Sequence, residues 1–272
     1  MLDERIARFA ARRSKNISYR ETGAGQALVL LHGIGSGSAG WLFQLETLTG
    51  FRLIAWDAPG YGESALLPME KPRPADYAQA LHEFLERLLL KDVMLVASSL
   101  GCLMATAYAA ARPERVRGMV LLGPAGGYGG DEAKTAERLE QYDELGAEGL
   151  AEKRAPTVVA PSSPPIALEL SRWTQRRVTR AAYRRAVWCL GQGNLALDAR
   201  KFQKKVLVAC GTEDIITPPA GCKTLAGAFP RGEYLALPGL GHVPHIEAPE
   251  KVNEIVSGWS GASSGSRSSS SA

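Results

Sequence analysis

The stretch Val93–Cys102 reads VMLVASSLGC. An apolar run meets two serines, then Leu-Gly, and an alanine-rich segment follows to Arg112, just before Pro113. A buried strand turning directly into a helix fits this order. In so tight a turn the residues two before and two after an exposed serine must be small. Ser99 places Ala97 and Gly101 at those positions, whereas Ser98 places Val96 and Leu100 there and would clash. Sterics therefore select Ser99 as the candidate nucleophile. Its hydroxyl stands at a helix N-terminus, where the peptide dipoles favour developing negative charge. An ordinary strand-to-helix loop with a serine N-cap would read the same way in isolation.

Working outward, further apolar runs resemble strands covered on both faces: Ala27–Leu31, Leu53–Trp56, Val116–Leu122, Val206–Cys210 and Tyr234–Leu237. Helical periodicity fills the gaps, clearest over Ala75–Leu90 and Leu100–Arg112. Alternating strands and helices predict an α/β fold with a mostly parallel, doubly wound sheet and right-handed crossovers. The alternation breaks between Ala125 and Lys205, which holds helical charge patterning at Asp131–Leu145, a Pro/Ser stretch at Ala155–Pro165 and an arginine-rich helix at Ser171–Leu190. The expected organisation is a core of residues 1–124 and 206–258, a helical cap at 125–205, and a flexible Ser/Gly-rich tail at 259–272.

Composition narrows the function classes. The chain has 272 residues, with 32 Lys+Arg against 28 Asp+Glu for a net charge of +4. That mild balance argues against a nucleic-acid partner. No apolar run reaches the ~18–20 residues of a membrane span. The four cysteines, Cys102, Cys189, Cys210 and Cys222, show no zinc spacing, so no metal is expected. Acidic residues at Asp3 and Glu4 and the lack of an apolar core argue against a secretory leader. A cytoplasmic protein, monomeric or homodimeric, is the default expectation.

Three more segments carry candidate chemistry. Gly211-Thr212-Glu213-Asp214 follows a strand, so a carboxylate there faces the crevice where ligands bind in parallel sheets. Asp214 is preferred, with Glu213 the neighbouring alternative. His242 lies in the glycine-rich loop of LPGLGHVPHIEAP (Leu237–Pro249) and is the candidate general base; His245 begins the next helix. In Leu30–Trp41, LLHGIGSGSAGW, glycines let backbone N–H groups approach a ligand. The N–H groups of Ile34 and Leu100 would form an oxyanion hole. Gly35, Gly37 and Gly40 match G-x-G-x-x-G in letters, but no acid other than Asp57 ends the next strand, so a dinucleotide cofactor is not expected.

Together these pieces resemble the α/β-hydrolase superfamily, whose chain order is Ser, acid, His. The resemblance spans roughly Ser18 to Ser257 apart from the cap. It includes Asp57-x-Pro59-Gly60-x-Gly62-x-Ser64, the pair His32-Gly33, and Gly241-His242-x(4)-Glu247-x-Pro249. It implies a cofactor-independent hydrolase with a Ser99–His242–Asp214 triad, acting on a small-molecule ester, lactone or dienol acid. The elbow departs from the common G-H-S-x-G-G, with Ala97, Ser98 and Cys102 in the variable places. A serine nucleophile sets the chain apart from the Asp-nucleophile branches. The sequence is similar to the capped group of esterases, enol-lactone hydrolases and meta-cleavage-product hydrolases, although Val243 stands where the last usually carry Trp.

Ser171–Arg185 holds six arginines and no acid. Arg176, Arg180 and Arg184 share a helix face at four-residue spacing. Overhanging the site, Arg176, Arg180 and Trp173 would bind a substrate carboxylate; otherwise they form a solvated face. Three readings stay open: a serine esterase, a C–C bond or enol-lactone hydrolase of an anionic product of aromatic catabolism, and a non-catalytic small-molecule-binding protein on the same fold.

Overall fold

The apolar runs pair into one eight-stranded sheet in the order β1-β2-β4-β3-β5-β6-β7-β8. The computed structural model describes residues 2–261. The strands are β1 (Arg12–Ser14), β2 (Ile17–Gly23), β3 (Gln26–Leu31), β4 (Phe51–Trp56), β5 (Val93–Ser98), β6 (Val116–Leu122), β7 (Val206–Gly211) and β8 (Gly232–Leu237). β3 to β8 pair in parallel, and β1 and β2 join antiparallel at one edge. Those two strands escape the sequence reading because RRS and ISYRETG are polar and charged rather than continuously apolar, and the first is exposed at the sheet edge.

Continuous apolar character in the central strands has a direct cause. Val29 and Leu31 of β3 pack with Leu81 and Phe84 of α3 (Pro74–Arg87) and Leu103 of α4 (Leu100–Ala111). Leu28 and Leu30 point the other way, to Leu45 of α2 (Leu42–Thr47) and to Val252 and Val256 of α11 (Pro249–Gly261). Both faces are covered, so neither can be polar. α1 (Leu2–Ala7) sits in a smaller cluster through Leu2 and Ile6. α9 (Pro219–Ala228) and the short α10 (Pro244–Glu247) complete the core layer.

After β6, the sixth strand, the chain leaves the sheet for α5 (Glu132–Val158), α6 (Pro165–Gln175), α7 (Arg180–Gln192) and α8 (Leu195–Ala199) before returning as β7. α5 is kinked at Gly146, whose φ of 63° is left-handed, and it runs on through Pro156 into the Pro/Ser stretch. The expected single helix over Ser171–Leu190 is two helices. The break falls at 176–179, where the Thr179 hydroxyl caps α7 by accepting the Ala182 amide at 3.2 Å. The expected tail begins inside α11, where Trp259 packs against the core; from 262 onward that expectation lies outside the described residues. No helix among the described residues is long and apolar enough to cross a membrane.

The elbow depends on one close approach. A Cβ at Gly101 would lie 2.8 Å from the His32 carbonyl oxygen and closer still to that of Leu31. Both are backbone atoms that cannot turn aside. Gly101→Ala is expected to destabilise the protein by about 3 kcal/mol, the upper end for overpacking. Urea unfolding checks this, and an unchanged midpoint would contradict it.

Candidate active site

Ser99 follows the last residue of β5 and caps α4 with φ 53° and ψ −116°. A non-glycine residue at positive φ is strained by about 1–3 kcal/mol and persists only where its surroundings hold it. Here its N–H donates to the Leu122 carbonyl at 2.9 Å, and its carbonyl accepts from Cys102 and Ala125, each at 3.1 Å. A Cβ at Gly33 would meet Ser99 Cβ at 3.1 Å, so the first glycine-rich loop lies directly over the serine. Ala97 is fully buried, and Cys102 fits because its Sγ turns back to donate to the Ala97 carbonyl at 3.3 Å.

Asp214 lies in the turn just past β7 and is buried, while Glu213 beside it is exposed. Oδ1 of Asp214 accepts the Ile216 and Thr217 amides, both at 2.8 Å. Oδ2 accepts the Thr217 hydroxyl at 2.7 Å and pairs with His242 Nδ1 at 2.8 Å. Burial alone would raise the Asp214 pKa. The His242 bond and charge and the two Thr217 bonds outweigh it and hold the carboxyl below its ordinary value. Pairing through Nδ1 leaves Nε2 as the other ring nitrogen, the one available for proton transfer.

The loop carrying His242 is fixed by Glu247. One carboxylate oxygen accepts Gly241 N at 2.8 Å, Ala160 N at 2.9 Å and the Ser163 hydroxyl at 2.6 Å; the other accepts Val243 N at 3.1 Å. His242 N itself donates to the Val158 carbonyl at 2.9 Å. The chain from the end of α5 to the start of α6 therefore grips the histidine loop. His32 has a similar structural part: Nε2 accepts the Ala58 amide at 3.0 Å and Nδ1 donates to the Gly33 carbonyl at 2.8 Å, tying the loops after β3 and β4. Asp57 accepts the Ser38 amide at 2.7 Å and the Ser18 hydroxyl at 2.8 Å, which fixes the far end of the glycine-rich loop.

Ser99, His242, Thr217 and Ile34 line one cavity of about 290 Å³. The Ile34 and Leu100 amides have no protein acceptor among the hydrogen bonds of the described residues. Among the described residues no Asp or Glu lines the cavity, but Lys134, Arg138 and Arg154 do. The cap residues singled out in the sequence lie elsewhere. Arg176 binds Glu148 and Glu152, Arg180 binds Asp143, and Trp173 Nε1 donates to Asp3 at 2.8 Å with Arg177 stacked on its ring. None of these three lines the cavity. Among the described residues no group of His, Cys, Asp and Glu is arranged to hold a metal ion.

His245 was passed over in the sequence. It is buried against Trp41, ring centroids 4.3 Å apart, on the cavity wall, and its Nδ1 has no hydrogen-bond partner among the described residues. Burial, and secondarily the His242 charge, lower its pKa to about 3. The unfolded chain binds that proton below about pH 6.5. Stability from the neutral ring is therefore complete above pH 6.5 and lost as pH falls towards 3, by up to about 1.4 kcal/mol per pH unit. His245→Phe keeps a ring on Trp41 and is expected to reduce the loss of unfolding free energy between pH 7 and 5. An identical loss in the variant would contradict this. His32, likewise lowered by burial, supplies part of the remaining slope.

A strained serine elbow, an Asp–His pair past the next strands and a parallel sheet define an α/β-hydrolase architecture. The α/β hydrolase fold family matches residues 26–249, and the chain belongs to that family. It is 27% identical over 252 residues, 90% of this chain and 94% of the relative, to (E)-2-((N-methylformamido)methylene)succinate hydrolase of Acinetobacter baylyi. It is 34% identical over 115 residues to 2-hydroxy-6-oxo-6-phenylhexa-2,4-dienoate hydrolase of Comamonas testosteroni, a match spanning 40% of each chain. Among solved structures, a thermophilic esterase from Thermogutta terrifontis with malate bound superposes with a TM-score of 0.83 at 25% identity, covering 91% of this chain and 93% of that one.

Proposed function

We propose that this hydrolase cleaves a carboxylic ester or related acyl bond of a small molecule through a covalent acyl-enzyme. Ser99 Oγ attacks the carbonyl carbon while His242 Nε2 takes its proton. Asp214 holds Nδ1–H and stabilises the imidazolium that forms. The Ile34 and Leu100 amides receive the oxyanion, each contributing about 3–4 kcal/mol to transition-state stabilisation. His242 then returns the proton to the leaving group, and water activated by the same imidazole releases the acid. The observation that carries this reading is the strained Ser99 and the Asp214-paired His242 on the wall of one cavity.

p-Nitrophenyl acetate and butyrate should be hydrolysed, with rates falling as longer acyl chains outgrow a cavity of about 290 Å³. Absence of turnover at every chain length would contradict the reading. A second reading, cleavage of a C–C bond or enol-lactone in an anionic product of aromatic catabolism, is favoured by the acid-free, cationic wall. It is also supported by relatives named for dienoate and succinate substrates. Parallel assays on a neutral ester and a dienol acid separate the two; strong preference for the ester would end the second.

A further inference from the structure

α5 has two chemically different faces. Its outward acids are taken up by arginines of the following helices. Asp143 binds Arg180 at 2.7 Å and Arg184 at 3.0 Å, Glu148 binds Arg176 at 2.9 Å, and Glu152 binds Arg172 at 3.2 Å. Its inward cations reach the cavity instead.

Lys134, Arg138 and Arg154 have no carboxylate partner among the described residues. Arg138 donates Nε to the Tyr183 hydroxyl at 3.2 Å and Nη1 to the Tyr128 hydroxyl at 2.9 Å. Arg154 spends Nε and Nη2 on one neutral oxygen, Gln141 Oε1, at 3.2 and 2.7 Å. Lys134 Nζ lies over the Tyr128 ring, 4.5 Å from its centroid.

Arg138 and Arg154 are half-buried and held only by neutral groups, whereas Lys134 is exposed at the rim. A half-buried cation without a carboxylate beside it is poorly compensated, and like charges on one wall repel. Burial and the neighbouring Arg138 charge both push Arg154 below the ordinary arginine range. Acids stand on the same helix, yet all those named above are bound on its outer side. The cavity is left with three positive charges and none of the opposite sign.

We propose that the Lys134–Arg138–Arg154 wall is an anion subsite, and that the substrate is a small dicarboxylic acid derivative whose carboxylates sit there while its scissile carbonyl stands at Ser99. This rests on the cavity being the hydrolytic site. Each guanidinium retains unspent N–H donors for a carboxylate, the geometry that makes charge-assisted pairs strong. A single carboxylate would leave the wall with a surplus of two charges, whereas two carboxylates leave one. A cavity of about 290 Å³ also suits a compact diacid better than a polymer.

Titration calorimetry on the intact chain tests this with succinate, propionate, the neutral diamide succinamide and inorganic phosphate. Succinate should bind at least about tenfold tighter than propionate or phosphate, and succinamide should not bind measurably. Arg138→Gln and Arg154→Gln should each weaken succinate at least about tenfold, a difference of about 1.4 kcal/mol. Succinate should also inhibit p-nitrophenyl acetate hydrolysis competitively in the unaltered protein, a readout independent of how either variant folds. Equal binding of succinate and propionate, tighter binding of phosphate, or undiminished succinate binding by both folded variants would overturn the proposal. Succinate binding without hydrolysis of any ester would leave the subsite standing and overturn the hydrolytic reading. Ester hydrolysis without succinate binding would do the reverse.

Discussion

Ser99→Ala is expected to lower turnover of p-nitrophenyl acetate by about 10⁴-fold or more, with the unfolding midpoint little changed. The size follows from the chemistry: without Oγ no acyl-enzyme forms, and only the oxyanion amides and binding remain. The small effect on stability follows from the structure. Ser99 contributes its backbone bonds to Leu122, Cys102 and Ala125, which alanine keeps. Its strained φ of 53° is equally awkward for alanine, so the strain is not relieved. Ser98→Ala is the control. Ser98 ends β5 in extended backbone and should lose far less activity. Retained turnover in Ser99→Ala, or equal losses in the two variants, would sink the assignment.

Asp214→Asn is expected to lower kcat by about 10³–10⁴-fold. Oδ1 of Asp214 takes two backbone amides, and Oδ2 faces the Thr217 hydroxyl and His242 Nδ1. An asparagine must keep its oxygen on the amides, which turns its NH₂ towards Nδ1. The imidazole then presents the wrong tautomer, with its proton on the nitrogen that should receive one from Ser99. Acid stability should change too. The carboxyl is held below its ordinary value, so its contribution is complete above the unfolded value near pH 4 and is lost as pH falls through the folded one. The asparagine variant should show a shallower decline below pH 4. A loss of less than tenfold in kcat would show that the acid does not orient the histidine.

The legible parts of this molecule were those fixed by local chemistry. Four of the five apolar runs around VMLVASSLGC are strands with both faces covered, which leaves no room for alternation, whereas Tyr234–Leu237 in β8 closes the sheet at its other edge and is only partly covered. Ser99 was separable from Ser98 because the same tight turn that strains its φ forbids a Cβ at position 101. What stayed hidden depended on partners distant in the chain. Arg176, Arg180 and Arg184 read as one basic helix face, but the helix breaks between Arg176 and Arg180, and all three guanidiniums are taken by acids on α5, which meet them only after folding. Lys134 and Arg138 are visible as a four-residue pair. Arg154 joins them only because α5 bends at Gly146. Thr217 carries no signal of its own in the sequence, yet its hydroxyl donates to Asp214 and lies 3.1 Å from His242 Nδ1.

The most direct test is covalent labelling with a fluorophosphonate, followed by mass mapping of the modified peptide. One adduct on the Ser99 hydroxyl, lost when His242 is replaced by alanine, is the result expected of a serine made nucleophilic by that imidazole. A chain that stays unlabelled while still binding small molecules, or an adduct mapping to Ser98, would contradict it.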